Sequence, residues 1–312
     1  MIHLMEDEAR NLSKRQDALW VRARMVQAIR RFFIDQEYLE VETPCIIPAL
    51  IPEDHIDAVA CGDRFLHTSP ELCMKRMLAA GYEKIFQICK CFREKERGSY
   101  HLPEFTMLEW YRRDADYISL MQECQELIVS VASAVGCGDE IIYQGKVVNL
   151  RDSWERLSVR EAFNRYVPLS LEEALKEGRF DEMTVCYIEP NMGVERPTFL
   201  YDYPASLATL ARLRKKDPAV AERFELYMAG VELANAFSEL TDINEQRLRF
   251  ERVQGYRASI GKSIYPISER FLQSLNTMPE SAGIALGLDR LAMIFTNSSS
   301  IDEVVAFTPE HL

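Results

Sequence analysis

The sequence lacks any stretch that is long and apolar enough to cross a bilayer, and its first residues lack the apolar core of a secretion signal. It also shows no internal repeat and no low-complexity linker. These absences argue against a membrane protein, a secreted protein and a repeat array. We therefore expect a cytoplasmic protein in which residues 1–312 form a single domain. Met1–Asn11 is too short for a domain and is predicted to be a polar lead.

Cysteine is not scarce, but its spacing is not that of a structural metal site. Cys89 and Cys91 are separated by one residue, which is the wrong interval for a zinc knuckle, and no histidine cluster completes the pair. We expect reduced thiols, most of them in the core. The eight cysteines are Cys45, Cys61, Cys73, Cys89, Cys91, Cys124, Cys137 and Cys186.

Basic residues are outnumbered by acidic ones. Lys and Arg total 37 against 49 Asp and Glu, which gives a formal net charge of −12. A broad nucleic-acid-binding face needs clustered Lys and Arg. The acidic balance therefore argues against a large nucleic-acid partner, while it is compatible with a local basic patch.

Apolar spacing and capping residues predict the first elements. A helical stripe predicts a helix over Lys14–Asp35, and alternation predicts a strand over Tyr38–Thr43. A further helix begins where Ser69 is a hydroxyl N-cap, Pro70 suits the first helical position and Glu71 is a first-turn acid. Glu71 is compatible with this local role alone and also with ligand binding.

The same signals predict the elements of the later chain. We expect a helix over Tyr117–Val135, a hairpin over Ile141–Leu150 and a strand over Thr198–Tyr203. Between the last two, capping-box sequences predict a small helical insertion at about residues 151–197.

The functional prediction depends most on two strand-like runs around a charged loop. The runs are Ile85–Phe92 and Glu104–Tyr111, and Arg93 lies in the loop. The second run alternates, so Glu109 shares a face with aromatic and thioether side chains. A half-buried carboxylate needs a partner, and an arginine at the mouth can reach phosphate. The pattern predicts a pocket for a triphosphate and a cationic small molecule; the alternative is an ordinary hairpin with a solvated tip.

A second pair of predicted strands also carries acids. Phe224–Met228 and Val231–Glu239 contain Glu225, Glu232 and Glu239 at intervals of seven. Acids at apolar strand positions need cations, either a metal ion or a ligand amine. The alternative is an edge strand whose glutamates point outward.

Near the C-terminus, small residues in Gly283–Phe295 predict a strand, a glycine break and a helix that begins near Asp289.

Three stretches of the chain occur in the order of the three motifs of class II aminoacyl-tRNA synthetases, which the chain resembles. They are LEVETP (39–44), FREKERGSYHLPEFTMLEWY (92–111) and GIALGLDR (283–290). Within that family, SPE, PEFTMLEWY and VELANAFSEL are similar to lysyl-tRNA synthetases. SPELCMKRMLAAG and IEPNMGVERPTFLYDYPAS resemble the truncated lysyl-synthetase paralogues that lysylate elongation factor P.

This resemblance implies an α+β fold, with an antiparallel sheet flanked by helices, and a homodimer formed through the first motif. It implies an ATP- and Mg²⁺-dependent ligase that activates lysine, preferably (R)-β-lysine, and transfers it to a lysine of elongation factor P. No N-terminal anticodon-binding OB domain is expected, and tRNA is not the expected acceptor. Two alternatives are a minimal synthetase with another acceptor and a non-catalytic lysine or adenylate sensor.

The resemblance also implies roles for the nucleotide site. Arg93 would bridge the α-phosphate and the substrate carboxylate, as a planar guanidinium can. Phe105 and Arg290 would enclose adenine. Glu225 and Glu232 would hold Mg²⁺.

For the amino acid, the resemblance implies that Glu71 takes the nearer amine and Asn235 assists the carboxylate. Glu109, Tyr111 and Glu239 would enclose the side-chain ammonium. The predicted sets are: catalytic, Arg93, Glu232 and Arg290; substrate-binding, Ser69, Pro70, Glu71, Glu109, Tyr111, Asn235, Phe237, Glu239 and Ala285; ATP-binding, Arg93, Glu94, Lys95, Glu96, His101, Leu102, Phe105, Glu232, Leu233, Gly287 and Arg290; metal-binding, Glu225 and Glu232.

The chain departs from the lysyl-synthetase pattern at four places. The loop reads Arg-Glu-Lys-Glu instead of Arg-Asn-Glu, and we assign the adenine-contacting role to Glu96. Leu102 replaces an Asn, and Ala236 replaces a Gly. Ala285 also replaces a Gly, a change that goes with β-lysine preference in the modifying paralogues.

Overall fold

The structure is a computed structural model that describes residue 10 and residues 12–312. Apart from Arg10, the predicted polar lead at Met1–Asn11 lies outside the described residues. Within the described chain, no helix is long and apolar enough to cross a membrane. The strands, numbered in chain order, are β1 Leu39–Glu40, β2 Ile46–Ile47, β3 Ala60–Cys61, β4 Arg64–Leu66, β5 Lys84–Phe92, β6 Glu104–Arg113, β7 Glu140–Tyr143, β8 Lys146–Asn149, β9 Glu155–Ser158, β10 Thr198–Pro204, β11 Leu213–Arg214, β12 Asp217–Met228, β13 Val231–Ser238 and β14 Ser281–Gly287.

The α-helices lie on both sides of these strands. Their bounds are α1 Gln16–Asp35, α2 Glu71–Ala79, α3 Tyr117–Val135, α4 Val159–Tyr166, α5 Leu171–Lys176, α6 Phe180–Met183, α7 Ile243–Ser259, α8 Glu269–Ser274 and α9 Leu288–Thr296.

The main sheet has the strand order β1-β5-β6-β14-β13-β12-β10-β9, with β11 paired to β12. The β1–β5 and β10–β9 pairs are parallel, and the other pairs are antiparallel. Two smaller sheets, β2-β4-β3 and β7-β8, lie beside it. This arrangement confirms the predicted α+β class with a mainly antiparallel sheet flanked by helices.

The alternation predicted for β6 divides its residues between two faces of the sheet. Leu108 and Trp110 point into the largest core cluster, where they pack with buried residues of α1 and α3. Phe33 of α1 stacks on Phe86 at a centroid distance of 4.7 Å and lies 5.2 Å from the Trp110 ring. Because side chains alternate along a strand, the opposite face is left for Glu109 and its neighbours.

Helix α3 shows how local chemistry sets the bounds of an element. The Asp116 side chain and Ser119 form a reciprocal capping box at its start. At its end Gly136 adopts a left-handed conformation, with a φ of 84°. The helix therefore has the predicted bounds, Tyr117–Val135.

Two predicted elements differ from those observed. The strand predicted over Tyr38–Thr43 is confined to β1, because the chain leaves β5 after Val41 and enters the small sheet β2-β4-β3. The segment at 151–197 has the predicted capped helices but also contains β9, which joins the edge of the main sheet beside β10. The division into one domain with an insertion stays a prediction.

Gly193 connects the segment at 151–197 to the turn between β12 and β13 through a backbone hydrogen bond. Its carbonyl accepts a hydrogen bond from the Ala229 N–H, 2.7 Å away. Its φ is +67°, and a Cβ atom added here would lie 2.5 Å from the Tyr227 carbonyl oxygen. Glycine is therefore required both by the backbone conformation and by the close approach.

Gly193→Ala should destabilise the protein more than Gly178→Ala, which serves as a matched control. Gly178 has a nearly equal φ of +66°, but nothing lies within 4 Å of its added Cβ. The control should lose about 1 kcal/mol for the left-handed conformation, and Gly193→Ala about 3 kcal/mol because it also overpacks. Urea unfolding of both variants measures the difference. Equal losses would contradict the proposed close-contact effect.

Candidate active site

A cavity of about 950 Å³ lies on the face of the sheet opposite Leu108 and Trp110. This volume falls in the range of small-molecule sites. The predicted face of β6 lines it with Phe105, Met107, Glu109 and Tyr111.

Glu109 is the most deeply buried acid of this wall, with 1% of its surface exposed. Its carboxylate accepts hydrogen bonds from the Ser69 hydroxyl, at 2.5 Å, and from the Tyr111 hydroxyl, at 2.9 Å. The Ser69 oxygen in turn accepts from the Glu71 N–H at the start of α2. Burial, and then the charge of Glu71, raise the pKa of Glu109 well above its usual value. The site thus holds a carboxyl group that is oriented by two hydroxyls and that forms no ion pair with a basic side chain among the described residues.

Lys75 was not predicted from the sequence, yet it joins two predicted acids. Its Nζ lies 2.9 Å from a Glu71 oxygen and 2.7 Å from a Glu239 oxygen. Burial raises the pKa of Glu239 to about 7 against the opposing effect of Lys75. The other Glu239 oxygen, Oε1, is buried without a hydrogen-bond partner in the described structure. The signal in the sequence was the four-residue spacing of Glu71 and Lys75 on one helix.

Gly283 explains how Tyr111 and Glu239 come together. It pairs with Tyr111 across β14 and β6 and with Phe237 across β14 and β13. A Cβ atom at Gly283 would lie 2.1 Å from the Tyr111 ring and 2.6 Å from a Glu239 oxygen. The predicted close approach to this small-residue strand is therefore made by the protein's own side chains.

The hairpin of β12 and β13 brings Glu225 beside Arg223. Glu225 accepts hydrogen bonds from the Arg223 guanidinium at 2.5 Å and from the Tyr227 hydroxyl at 2.7 Å. Arg223 also donates to the Asn235 side-chain oxygen at 3.2 Å and lies 4.2 Å from the centre of the Tyr203 ring. Sequence analysis did not predict Arg223, although its two-residue spacing from Glu225 places both on one face of β12.

Two residues of the predicted catalytic set, Glu232 and Arg290, are in contact with each other. Arg290 Nη1 donates to the Glu232 backbone oxygen at 2.9 Å and lies 3.2 Å from its carboxylate. Its Nη2 donates to His101 Nε2 at 2.6 Å. Burial and the charge of Glu225 raise the pKa of Glu232. Burial and the charge of Arg290 lower the pKa of His101.

Arg93, in the loop after β5, lines the cavity, whereas the two residues that follow it do not. Its guanidinium carbon is 5.1 Å from the centre of the Phe105 ring, and Nη1 is 3.8 Å from Glu96. Its Nε is buried without a hydrogen-bond partner in the described residues. Glu96 lines the cavity, whereas Glu94 and Lys95 do not and pair with each other at the surface.

Most of the predicted side chains surround one space. The predicted residues that line the cavity are Ser69, Glu71, Arg93, Glu96, His101, Leu102, Phe105, Glu109, Tyr111, Glu232, Leu233, Asn235, Phe237, Ala285, Gly287 and Arg290. The predicted residues that do not line it are Pro70, Glu94, Lys95, Glu225 and Glu239. Glu225 and Glu239 lie just behind the wall, where Arg223 and Lys75 connect them to lining residues.

The cavity wall is acidic overall. Among the residues that the structure describes, nine Asp and Glu residues line it, against five Arg residues and no Lys. Burial is the largest effect that raises the pKa of Glu53, to about 7, and it also raises those of Glu109 and Glu232. Concentrated, poorly neutralised carboxyl groups favour a ligand that carries positive charge.

Replacing Lys75 with Met should destabilise the protein strongly and in a pH-dependent way. Removing one partner of a buried ion pair costs about 3–5 kcal/mol. Because the folded-state pKa of Glu239 is raised to about 7, its stabilising contribution is present below pH 4.5 and is lost as pH rises through about 7. Without Lys75, the stability that is lost as Glu239 ionises should be greater. The difference in the free energy of unfolding between wild type and Lys75→Met should therefore be larger at pH 8 than at pH 5.5, as measured by urea unfolding.

Arg31→Met provides the control for Lys75→Met. Arg31 and Asp35 also form a pair four residues apart in a helix, at 2.9 Å, but both side chains are exposed. This variant should change stability by less than about 0.5 kcal/mol at either pH. Similar losses in the two variants, or a Lys75→Met loss that is independent of pH, would contradict the buried-pair interpretation.

Comparison with known proteins supports the sequence resemblance. The family model described as "tRNA synthetases class II (D, K and N)" matches residues 8–311. The chain is also 42% identical to the elongation factor P--(R)-beta-lysine ligase of Proteus mirabilis (strain HI4320), in an alignment that covers 92% of this chain and 93% of that protein. These findings confirm the predicted class II fold. The chain belongs to the class II tRNA synthetase family of the D, K and N type.

Proposed function

We propose that this protein is an ATP-dependent ligase that activates lysine, with (R)-β-lysine preferred, and transfers it to a lysine side chain of elongation factor P. The Proteus mirabilis relative, whose name states this reaction, supports the proposal. The observation that carries it is Glu109, a buried carboxyl group in the cavity wall with two hydroxyl partners. In the described structure no basic side chain forms an ion pair with it, so a ligand ammonium can supply the missing charge.

The proposed reaction has two steps. The lysine carboxylate attacks the α-phosphorus of ATP, the bond to the bridging oxygen breaks, and pyrophosphate leaves. The amine of the acceptor lysine then attacks the carbonyl carbon of the adenylate, loses a proton and displaces AMP. Neither step needs a nucleophile from the enzyme, because alignment and neutralisation of phosphate charge lower the barrier.

Side-chain selectivity follows from the buried acids. An ammonium at Glu109 would share the carboxylate with the hydroxyls of Ser69 and Tyr111. An uncharged analogue would leave the acid without a counter-charge, so discrimination against it should be large. Glu71 and Glu239, which Lys75 holds in place, complete the acidic end of the site. Ala285 pairs with Glu109 across β14 and β6 and adds a methyl group to the cavity wall, which is the basis for the proposed β-lysine preference.

The nucleotide would lie toward Arg93, Phe105 and Arg290. Arg93 faces the Phe105 ring, and its buried Nε has no hydrogen-bond partner in the part of the chain that the structure describes, so it is available to a phosphate or carboxylate oxygen. We assign Mg²⁺ to Glu225 and Glu232. Their hard oxygen donors fit this ion, and the charge of Glu225 raises the pKa of Glu232, which indicates a local excess of negative charge. When bound, the ion would neutralise phosphate charge, while Arg223 and Arg290 position the two acids.

Oligomeric state and location complete the proposal. Trp20 and Ile34 of α1 and Leu39 of β1 are exposed apolar residues in the region of the first motif. Strand β1 also lies at one edge of the main sheet. These features support a homodimer through this region. Since the proposed acceptor is a translation factor, we propose that the enzyme acts in the cytoplasm.

The test is ATP–pyrophosphate exchange with α-lysine, (R)-β-lysine or an uncharged isostere, followed by transfer. We expect exchange that depends on a diamino acid and on Mg²⁺, and a mass increase of elongation factor P in the presence of ATP. Glu232→Gln should lower exchange by about 100-fold or more by weakening metal binding. Circular dichroism of this variant should match that of the wild type.

Glu222→Gln is the matched control, because Glu222 on β12 also pairs with an arginine, Arg212, but does not line the cavity. It should retain exchange. No diamino-acid-dependent exchange in the wild type would refute lysine activation, and unaltered turnover in Glu232→Gln would refute the metal assignment. Charging of tRNA without modification of elongation factor P would identify tRNA as the acceptor and would support the minimal-synthetase alternative.

A further inference from the structure

A histidine and two cysteines meet in a buried cluster outside the cavity wall. Each of His67, Cys89 and Cys91 offers a metal-ligating atom, and these atoms lie within 4.8 Å of one another. The two sulfur atoms are 4.0 Å apart. His67 follows β4 and reaches β5 because its backbone oxygen accepts a hydrogen bond from the Phe92 N–H. Sequence analysis found no histidine to complete the Cys-x-Cys pair, since this contact joins residues distant in the sequence.

The hydrogen bonding of His67 leaves one ring nitrogen for a ligand. Its Nε2 lies 2.6 Å from the Lys90 carbonyl oxygen. A carbonyl oxygen only accepts hydrogen bonds, so Nε2 carries the hydrogen. In the neutral ring the lone pair is then on Nδ1. Histidines that bind metals usually donate their other N–H to a carbonyl or carboxylate in this way, which fixes the ring.

The sulfur atoms have the spacing of metal ligands. Two sulfurs on a tetrahedral zinc ion with bonds of about 2.3 Å are about 3.8 Å apart, close to the observed separation. His67 and Cys91 are almost fully buried, so the cluster is enclosed.

We propose that His67, Cys89 and Cys91 form a binding site for a thiophilic divalent ion of the zinc class. The imidazole and two thiolates are donors that such ions prefer, and two thiolates balance the charge of one divalent ion. Binding releases the thiol protons to solvent and involves no change of oxidation state. Among the residues that the structure describes, no fourth His, Cys, Asp or Glu joins this cluster, so these side chains supply three of the four ligands of a tetrahedral ion.

The cluster borders the proposed lysine and ATP sites but does not form part of the cavity wall. Cys89 and Cys91 pair across the hairpin with Met107 and Phe105, so they share a face of the sheet with these two cavity-lining residues. None of the three ligands lines the cavity. Metal binding can therefore be measured without reference to ligase activity, and failure of one proposal would leave the other intact.

Cobalt titration of the whole protein, with a non-thiol reductant present, tests this site. We expect one equivalent of Co²⁺ to give a thiolate charge-transfer band in the near ultraviolet, and Zn²⁺ to abolish it by displacement. Zn²⁺ should also raise the thermal midpoint. Cys91→Ser should weaken Zn²⁺ binding by at least about 100-fold. It removes a direct ligand, and changes to residues that only hydrogen-bond a ligand already cost about 10–100-fold.

Cys186→Ser is the control, because Cys186 is an exposed thiol outside the cluster. It should retain the band and the thermal shift. Cys89→Ser provides a second ligand variant if Cys91→Ser does not fold, as judged by circular dichroism. The proposal would be overturned if the wild type gave no stoichiometric band, if a folded ligand variant bound Zn²⁺ as the wild type does, or if Cys186→Ser abolished the band.

Discussion

The acidic end of the cavity depends on one buried lysine, Lys75, which forms ion pairs with both Glu71 and Glu239. These ion pairs connect α2 to the residue that follows β13, and a carboxylate left alone at this depth would be protonated or expelled. Glu109 lies beside this network, and its side-chain partners within the described part of the chain are two hydroxyls. The protein therefore neutralises some of its buried acids internally, and the proposed substrate supplies the remaining positive charge.

The sheet makes this concentration of charge compatible with a stable fold. One face of β6 contributes Leu108 and Trp110 to the main core, and the other contributes Glu109 and Tyr111 to the cavity. Burial of the apolar face stabilises the fold and so compensates for the cost of burying acids on the polar face. The absence of a side chain at Gly283 then permits the Tyr111 ring and Glu239 to share one small volume.

Much of this arrangement could be predicted from local sequence. The alternation in β6, the cap and C-terminal glycine of α3, and the motif resemblance identified the sheet and the bounds of α3, and most of the site residues that they indicated line the cavity. Lys75, Arg223 and the approach of His67 to Cys89 could not be predicted in the same way. Their roles arise from packing between elements far apart in sequence, and each has an ordinary local explanation as a helix or strand residue. The β9 strand was also missed, because its four residues carry no strong alternation and its pairing with β10 is set by tertiary context.

The central claim is that the site holds buried carboxyl groups that ionise when a cationic amino acid binds. Titration calorimetry of lysine binding, in buffers of different ionisation enthalpy, measures the number of protons exchanged. Because burial raises the pKa of Glu239 to about 7 and that of Glu109 well above its usual value, lysine should release protons at pH 6.5 and fewer at pH 8.5. Binding at pH 6.5 without proton release, or with proton uptake, would contradict the account.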